Sequence, residues 1–381
     1  MVDAIFFLSI ALVFYVYAGY PLLVLAFGKI FPHPVARQPY EPSVTVLIAA
    51  YNEETVIGTT ITNKLDQDYP PENLEIIVIS DASTDRTDAI VRSFDDPRVR
   101  LVRQEPRAGK TSALNLALPQ AQGEVLVFSD ANSLYGPGAL RQLVSNFADP
   151  AVGYVTGKMI YASPDGSTIG TGCTSYMRYE NALRAAETCL GSVVGVDGGI
   201  DAVRKKLYRP MRADQLPDFV LPLQVVAQGY RVVYDADAVL WEPSLKATQD
   251  EYRMRVRVSL RALWALFDMR QLLYSMGNPL FAWQLWSHKV FRYLCFVFLA
   301  AALASNIWLL GRGGLFYPGM FLLQLAGYAA AALMPVLERR GIRYKLLVLA
   351  RYLALLNLAS AHAFGKFLLR RKQVVWNPRK G

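Results

Sequence analysis

Cysteine is scarce in this chain, and the three present, Cys173, Cys189 and Cys295, share no metal-like spacing and form no disulfide framework. Reduced thiols are therefore expected, and cysteine-built zinc modules and disulfide-stapled scaffolds are excluded. The full phosphate-loop pattern GxxxxGK[ST] is missing too. Gly109-Lys110-Thr111 imitates its end, but the place of its first glycine holds Gln104, which excludes P-loop chemistry. Internal repeats and low-complexity tracts are absent. So is charge from residues 4–27, an apolar run of 24 residues that is long enough to cross a hydrocarbon core of about 30 Å. Asp3 precedes this run, where a signal peptide would carry basic residues, and no small-x-small cleavage site follows. A retained anchor is the expectation.

Hydrophobicity is what the chain has in excess. Its apolar fraction is 53% and its mean hydropathy +0.22, concentrated in the first thirty and last hundred of 381 residues. Three further apolar blocks cover 293–310, 315–337 and 346–369. The first two read as spanning helices. In the third, only 352–365 separate Arg351 from Lys366, so a re-entrant or interfacial segment is expected there. The net charge of +9 sits largely beside these blocks, at Arg339, Arg340, Arg343 and Lys345 and at Lys366, Arg370, Arg371 and Lys372. Such placement suits cytoplasmic flanks on anionic lipid and speaks against a nucleic-acid groove.

Between the apolar ends the organisation changes. Residues 31–42 form a proline-rich linker. VTVLIAA, LEIIVIS, RVRLVRQ and EVLVFSD then alternate with helical periods over about 90 residues, the signature of a parallel α/β sheet. The polar sets AYNEE, SDASTD and SDANS fall at carboxyl ends of strands, where such sheets bind ligands. A less regular half follows over 152–242, with strand-like 152–161 and 230–242. Residues 249–273 read as a basic amphipathic helix: Arg253, Arg257 and Arg261 share one face, and Val256, Leu260, Leu263, Trp264 and Phe267 lie on another. That helix is expected in the membrane interface.

VTVLIAAYNEE, ISDASTDRT, RAGKTSALN, FSDANS and DFVLPLQVVAQGYRVVYDADAVLWE, in this order, resemble the family 2 glycosyltransferases of GT-A fold. In layout the chain is similar to the membrane-embedded branch of cellulose, hyaluronan and poly-N-acetylglucosamine synthases. The resemblance implies an α/β GT-A domain over 43–246, flanked by transmembrane helices. An anchor would occupy 1–30, interface helices 247–290, spanning or re-entrant helices 291–370 and a basic tail 371–381. It implies that Ala50, Tyr51, Glu53 and Asp81 cradle the nucleotide of a UDP-sugar, with Lys110 and Asp130 near its diphosphate. Asp130 and Asn132 would hold Mg²⁺ or Mn²⁺, asparagine standing in the second place of the family's Asp-x-Asp signature. Asp218 would be the general base, with Pro217 where the family has a second acid. Arg257, with Arg255 as competitor, would cap the diphosphate and acceptor sites, and Gly198 and Gly199 would line the acceptor loop. Trp376 is similar to a tail motif of the hyaluronan synthase branch, although tryptophan beside basic residues is also an interface anchor.

The function implied is inverting transfer from a UDP-sugar to an acceptor hydroxyl at the cell membrane, with the catalytic domain cytoplasmic. Synthesis of a β-linked exopolysaccharide is the first reading, and transfer of one sugar to a lipid-linked acceptor is the alternative. A catalytically silent nucleotide-sugar sensor or scaffold is the third reading. The partners implied are the donor, a glycan or lipid-linked acceptor, and the bilayer. A homo-oligomer or small membrane partner would be needed to complete a pore.

Overall fold

The computed structural model describes residues 1–162, 168–243, 248–312, 314–339 and 344–373. Helix α1 runs over Val2–Ile30 with one π-helical stretch at Tyr15–Gly19. There follow β1 (Val44–Ala50), α2 (Ile57–Leu65), β2 (Leu74–Asp81), α3 (Thr87–Arg92), β3 (Val99–Gln104) and α4 (Lys110–Ala117). The next elements are β4 (Val125–Asp130), β5 (Leu134–Tyr135), α5 (Ala139–Ser145), β6 (Val152–Ala162), α6 (Thr168–Leu190) and β7 (Ile200–Arg204). After α7 (Pro217–Ala227) and β8 (Arg231–Pro243) the elements picked out here are helical: α8 (Thr248–Asp268), α9 (Pro279–Tyr293), α10 (Cys295–Leu309), α11 (Phe316–Arg339) and α12 (Lys345–Leu368). They group into two compact units. The sheet unit comprises 27–162, 181–243 and 372–381, and the helical unit 1–26, 163–180 and 244–371.

In the sheet unit eight strands lie in the order β3-β2-β1-β4-β7-β6-β8-β5. The first four are parallel, as their apolar runs require, since every residue of β1 is buried and such strands need covering on both faces. β4 meets β7 antiparallel, and β6 and β8 pair in parallel. Strand order reverses beside β1, which has β2 on one side and β4 on the other. That is the crevice where open α/β sheets bind ligands. The core under it is built from Val46, Ile48, Ile76, Val78, Val125 and Val127, with Ile57, Ile61, Leu140 and Leu143 from the helices. Two elements depart from the sequence expectation for 152–242. The short strand β7 is hidden behind Gly198-Gly199, and α6 opens on TIGTGCTS, residues whose propensities favour turns over helix.

Three features of the helical unit bear on the sequence expectations. Of the block 293–310, α10 covers Cys295–Leu309, only 15 residues, and it reaches spanning length only together with α9, which it meets at Leu294 with a 60° bend. By contrast, 346–369 forms one continuous helix whose segment Leu347–Leu368 is long and apolar enough to cross a membrane. Arg351 and Lys366 each lie within about a turn of its ends, where long charged side chains can reach out along the helix. With Val2–Ile30 and Phe316–Leu337 this makes three candidate spans among the described residues, or four with the bent pair. Third, the apolar stripe of α8 is covered by protein. Val256, Leu260 and Leu263 pack on Ala359 and Ala363 of α12, whose small side chains allow close approach. At the other end of the bundle Phe6, Leu309 and Tyr317 cluster, and the Tyr317 hydroxyl donates to Asp3 at 2.8 Å. Trp376 lies outside the described residues, as does the side chain of Cys173; Cys189 and Cys295 are free thiols.

Candidate active site at the strand ends

The loops after β1 and β2 are laced to each other. Thr84 N donates to Asn52 Oδ1 (2.8 Å), Glu53 N to Thr87 Oγ1 (2.9 Å), Glu54 N to Asp85 Oδ2 (3.1 Å), and Arg86 N to Glu54 Oε2 (3.1 Å). Asn52 and Glu54 therefore join loop to loop. They do not cap α2, which starts at Ile57 with Val56 at its N-cap and no side-chain cap. Asp85 does support the start of α3, accepting from Thr87 N at 2.9 Å. The backbone is strained at this edge: Asn52 (φ 54°) and Ala82 (φ 57°) are left-handed without being glycine, and Gly109 (φ 91°) and Gly198 (φ 84°) lie at neighbouring loops. Such clustering is typical of binding sites.

Asp81, at the end of β2, is fully buried. It accepts from Ala108 N at 2.8 Å and Gly109 N at 2.9 Å, with Gln104 Nε2 as a third donor. Its carboxylate thus organises the 105–109 loop and is occupied by it. The guanidinium of Arg107 lies 3.5 Å from the centre of the Tyr51 ring and 3.8 Å from Asp81.

Three of the expected residues meet at one point. Lys110 opens α4, and its Nζ lies 2.7 Å from Asp130 Oδ1 and 3.6 Å from Asp218 Oδ1. Burial opposes the charge of this ammonium, but the Asp130 and Asp218 carboxylates outweigh it and hold the group protonated, above its ordinary range. The carboxylates themselves stay open, with Asp130 38% and Asp218 28% exposed. Asp218 sits in the first turn of α7 directly after Pro217, a residue whose fixed φ suits that position. Gly198 lies against it: a Cβ there would stand 2.4 Å from Asp218 Cγ, so only glycine fits. Gly199 is close-packed as well, with Leu240 Cδ2 at 2.9 Å from its ideal Cβ.

The loop after β4 is pinned from α2, where Thr60 Oγ1 donates to Ala131 O (2.6 Å) and the buried Lys64 Nζ to Ser133 O (2.6 Å). Asp130 and Asn132 are hard oxygen donors two residues apart, and no cluster of three acidic, histidine or cysteine residues occurs among the described residues. That donor set fits a Mg²⁺- or Mn²⁺-type ion bound by one or two protein oxygens and completed by substrate phosphates and water.

Residues 45–208 match the family model described as Glycosyl transferase family 2. The chain carries a family 2 glycosyltransferase domain of GT-A fold. A mannosyltransferase from Pyrobaculum calidifontis, solved with GDP-Man and Mn²⁺, matches 97% of this chain at 27% identity and a TM-score of 0.75, with all of that chain covered. The beta-monoglucosyldiacylglycerol synthase of Synechocystis is 39% identical over 119 residues, 30% of this chain and 25% of that one. A poly-beta-1,6-N-acetyl-D-glucosamine synthase of Staphylococcus epidermidis is 23% identical over 331 residues, 79% of this chain and 80% of its own. The chain spans 25%, 66% and 60% of the length of three curated relatives, the Synechocystis enzyme among them. The matched domain belongs to a family that uses nucleotide sugars, and relatives of the chain are named as polysaccharide and glycolipid synthases.

The two arginines expected to cap the glycosyltransferase site lie on α8, in the helical unit. Arg255 is engaged there: its Nε donates to Glu251 at 2.7 Å and its Nη2 to the Tyr352 hydroxyl at 2.6 Å. The sequence reading missed Asp201 on β7, a buried carboxylate with no hydrogen bond of good geometry to either oxygen. Burial pushes it up to about 7, Asp218 and Asp197 add to the rise, and the Thr156 and Tyr154 hydroxyls oppose it. It also missed the buried pair Arg184–Asp197 at 2.6 Å, which with Arg184 Nε donating to Gly195 O holds the loop before Gly198. An aspartate inside the apolar run GGIDAV was the available signal for Asp201. Nothing local marks Arg184.

Proposed function

We propose that this enzyme transfers a sugar, with inversion, from a nucleoside-diphospho-sugar to a hydroxyl of a membrane-held acceptor. The observation that carries the reading is the meeting of Lys110, Asp130 and Asp218 at the strand ends. In the proposed step the Asp218 carboxylate takes the proton of the acceptor hydroxyl as its oxygen bonds to the anomeric carbon. The bond from that carbon to the diphosphate breaks, and its electron pair leaves with the nucleoside diphosphate. Lys110 shifts from Asp130 to the departing phosphate, a charge-assisted contact that strengthens as the leaving group gains charge. Mg²⁺ or Mn²⁺, held by Asp130 and Asn132, supplies further neutralisation of the diphosphate. Tyr51, Arg107 and Glu53 receive the nucleoside. Uridine is the base implied by the family resemblance, and the Pyrobaculum relative's complex with GDP-Man favours guanosine as the competing choice.

A lipid-linked acceptor is the reading that the small number of candidate spans favours. Polymer synthesis is the second, favoured by the Staphylococcus relative's name. The cytosolic nucleotide-sugar pool puts the catalytic domain inside the cell membrane and the N-terminus outside. If the α9–α10 pair crosses once and α11 returns, α12 lying with α8 at the cytoplasmic interface keeps both basic clusters inside, as the positive-inside rule asks. Gly381→Cys probed with an impermeant thiol reagent tests this topology, and labelling from outside would refute it. The activity test is purified protein in lipid with UDP- and GDP-sugars and Mn²⁺ or Mg²⁺, scored by nucleoside diphosphate release and product size. No release with any donor would leave the silent-sensor reading in its place.

A further inference from the structure

Within the helical unit Arg255 of α8 and Lys289 and Arg292 of α9 line one cavity together with Ser259, Asn357 and Ser360. Its volume is about 70 Å³, several times the roughly 10–15 Å³ that a buried water needs, so the space admits a group of a few heavy atoms. None of its described lining residues is acidic. Glu251 and Glu180, the partners of Arg255 and Arg292 at 2.7 and 2.6 Å, are not among its walls. Two wall atoms are buried without a hydrogen-bond partner: Arg292 Nη2, a donor, and Asn357 Oδ1, an acceptor. Asn357 itself is 9% exposed. An orphaned donor and an orphaned acceptor on residues that line one cavity suit a hydrated oxyanion, whose oxygens would take the guanidinium while its water or hydroxyl donates to the amide.

Depth points the same way. Tyr17 also lines the cavity, and along α1 it stands roughly 21 Å from Asp3, which is joined to Tyr317 at the start of α11. If that end faces outward, the cavity lies about two-thirds of the way across a hydrocarbon core of about 30 Å, towards the inner headgroups.

We propose that this cavity binds the phosphate of a membrane lipid whose chain lies along the apolar helices. The proposal takes its purpose, the holding of an acceptor or carrier, from the transferase reading, but it is measured without any sugar donor.

The test uses the purified full chain in neutral detergent with farnesyl phosphate, farnesol and inorganic phosphate as probes, read by thermal protection and by a titrated Kd. Farnesyl phosphate is expected to protect, while farnesol and inorganic phosphate at equal concentration do not. Arg292→Gln would strand Glu180, so Lys289→Gln and Asn357→Asp carry the test. At least one should weaken farnesyl phosphate tenfold or more while nucleoside diphosphate affinity stays unchanged. Equal protection by farnesol, or wild-type affinity in both variants, overturns the proposal. Inorganic phosphate binding as tightly as farnesyl phosphate makes this a free-anion site and overturns the lipid assignment. Because no donor is present, these outcomes are independent of whether the transferase reading holds.

Discussion

Charge is arranged in opposite ways in the two units. In the sheet unit two carboxylates, Asp130 and Asp218, share one ammonium at a partly exposed strand edge. In the helical unit Glu180 is held by Arg292, with His288 at 3.3 Å, and Glu251 by Arg255, all among packed helices. The first cluster can exchange partners, since water screens the groups, a cation can take the place of Lys110 beside the carboxylates, and a diphosphate can take the place of a carboxylate beside Lys110. The second cannot, because a buried charge that loses its partner pays the full desolvation penalty. Exchangeable pairs suit turnover; permanent ones suit holding a scaffold and presenting surplus positive charge to a ligand.

That contrast can be broken at several points. Asp218→Asn should lower turnover by about 10²–10⁴-fold while nucleotide binding and melting temperature stay near wild type. Unchanged turnover would remove the proposed base and, with it, the idea that the open cluster is the chemical one. Glu180→Gln, in the closed cluster, should do the reverse, lowering stability by up to about 5 kcal/mol in a detergent melt. A loss below 1 kcal/mol there would make the two clusters equivalent.

Asp201 tests a closed carboxylate of the sheet unit. Its folded value of about 7 stands above the ordinary 3.8, so the native state holds a proton that the unfolded chain releases. Stability from this group is therefore full below about pH 4 and is lost as pH rises to 7. The loss is on the order of 4 kcal/mol at pH 8. Asp201→Asn should raise the melting temperature more at pH 8 than at pH 5, and an equal gain at both would show that the carboxyl does not titrate in this window. Smallest is Gly198→Ala, where the added Cβ meets Asp218 and a φ of 84° strains alanine. A cost of about 1–3 kcal/mol is expected, with kcat falling more than KM rises. Wild-type kcat in that variant would show that Asp218 tolerates displacement.

The sequence by itself determined the parallel half of the sheet and the polar sets at its ends. VTVLIAA, LEIIVIS and EVLVFSD are continuous apolar runs, and Tyr51, Lys110, Asp130 and Asp218 sit in short motifs whose meaning is carried by neighbours in the chain. Apolar blocks were also legible from length and charge, but not how they end. The bend at Leu294 and the continuity of α12 depend on how helices pack, which composition does not encode. Only the tertiary structure could show that Asp81 is occupied by loop amides, or that α8 turns its apolar stripe to α12. The same is true of Asp201 on an unanticipated strand, and of Arg255 and Asn357 at one cavity from positions about a hundred residues apart. The physical reason is shared: burial, partner and distance belong to pairs of residues remote in sequence, and hydrophobic periodicity reports only which face is covered, never by what.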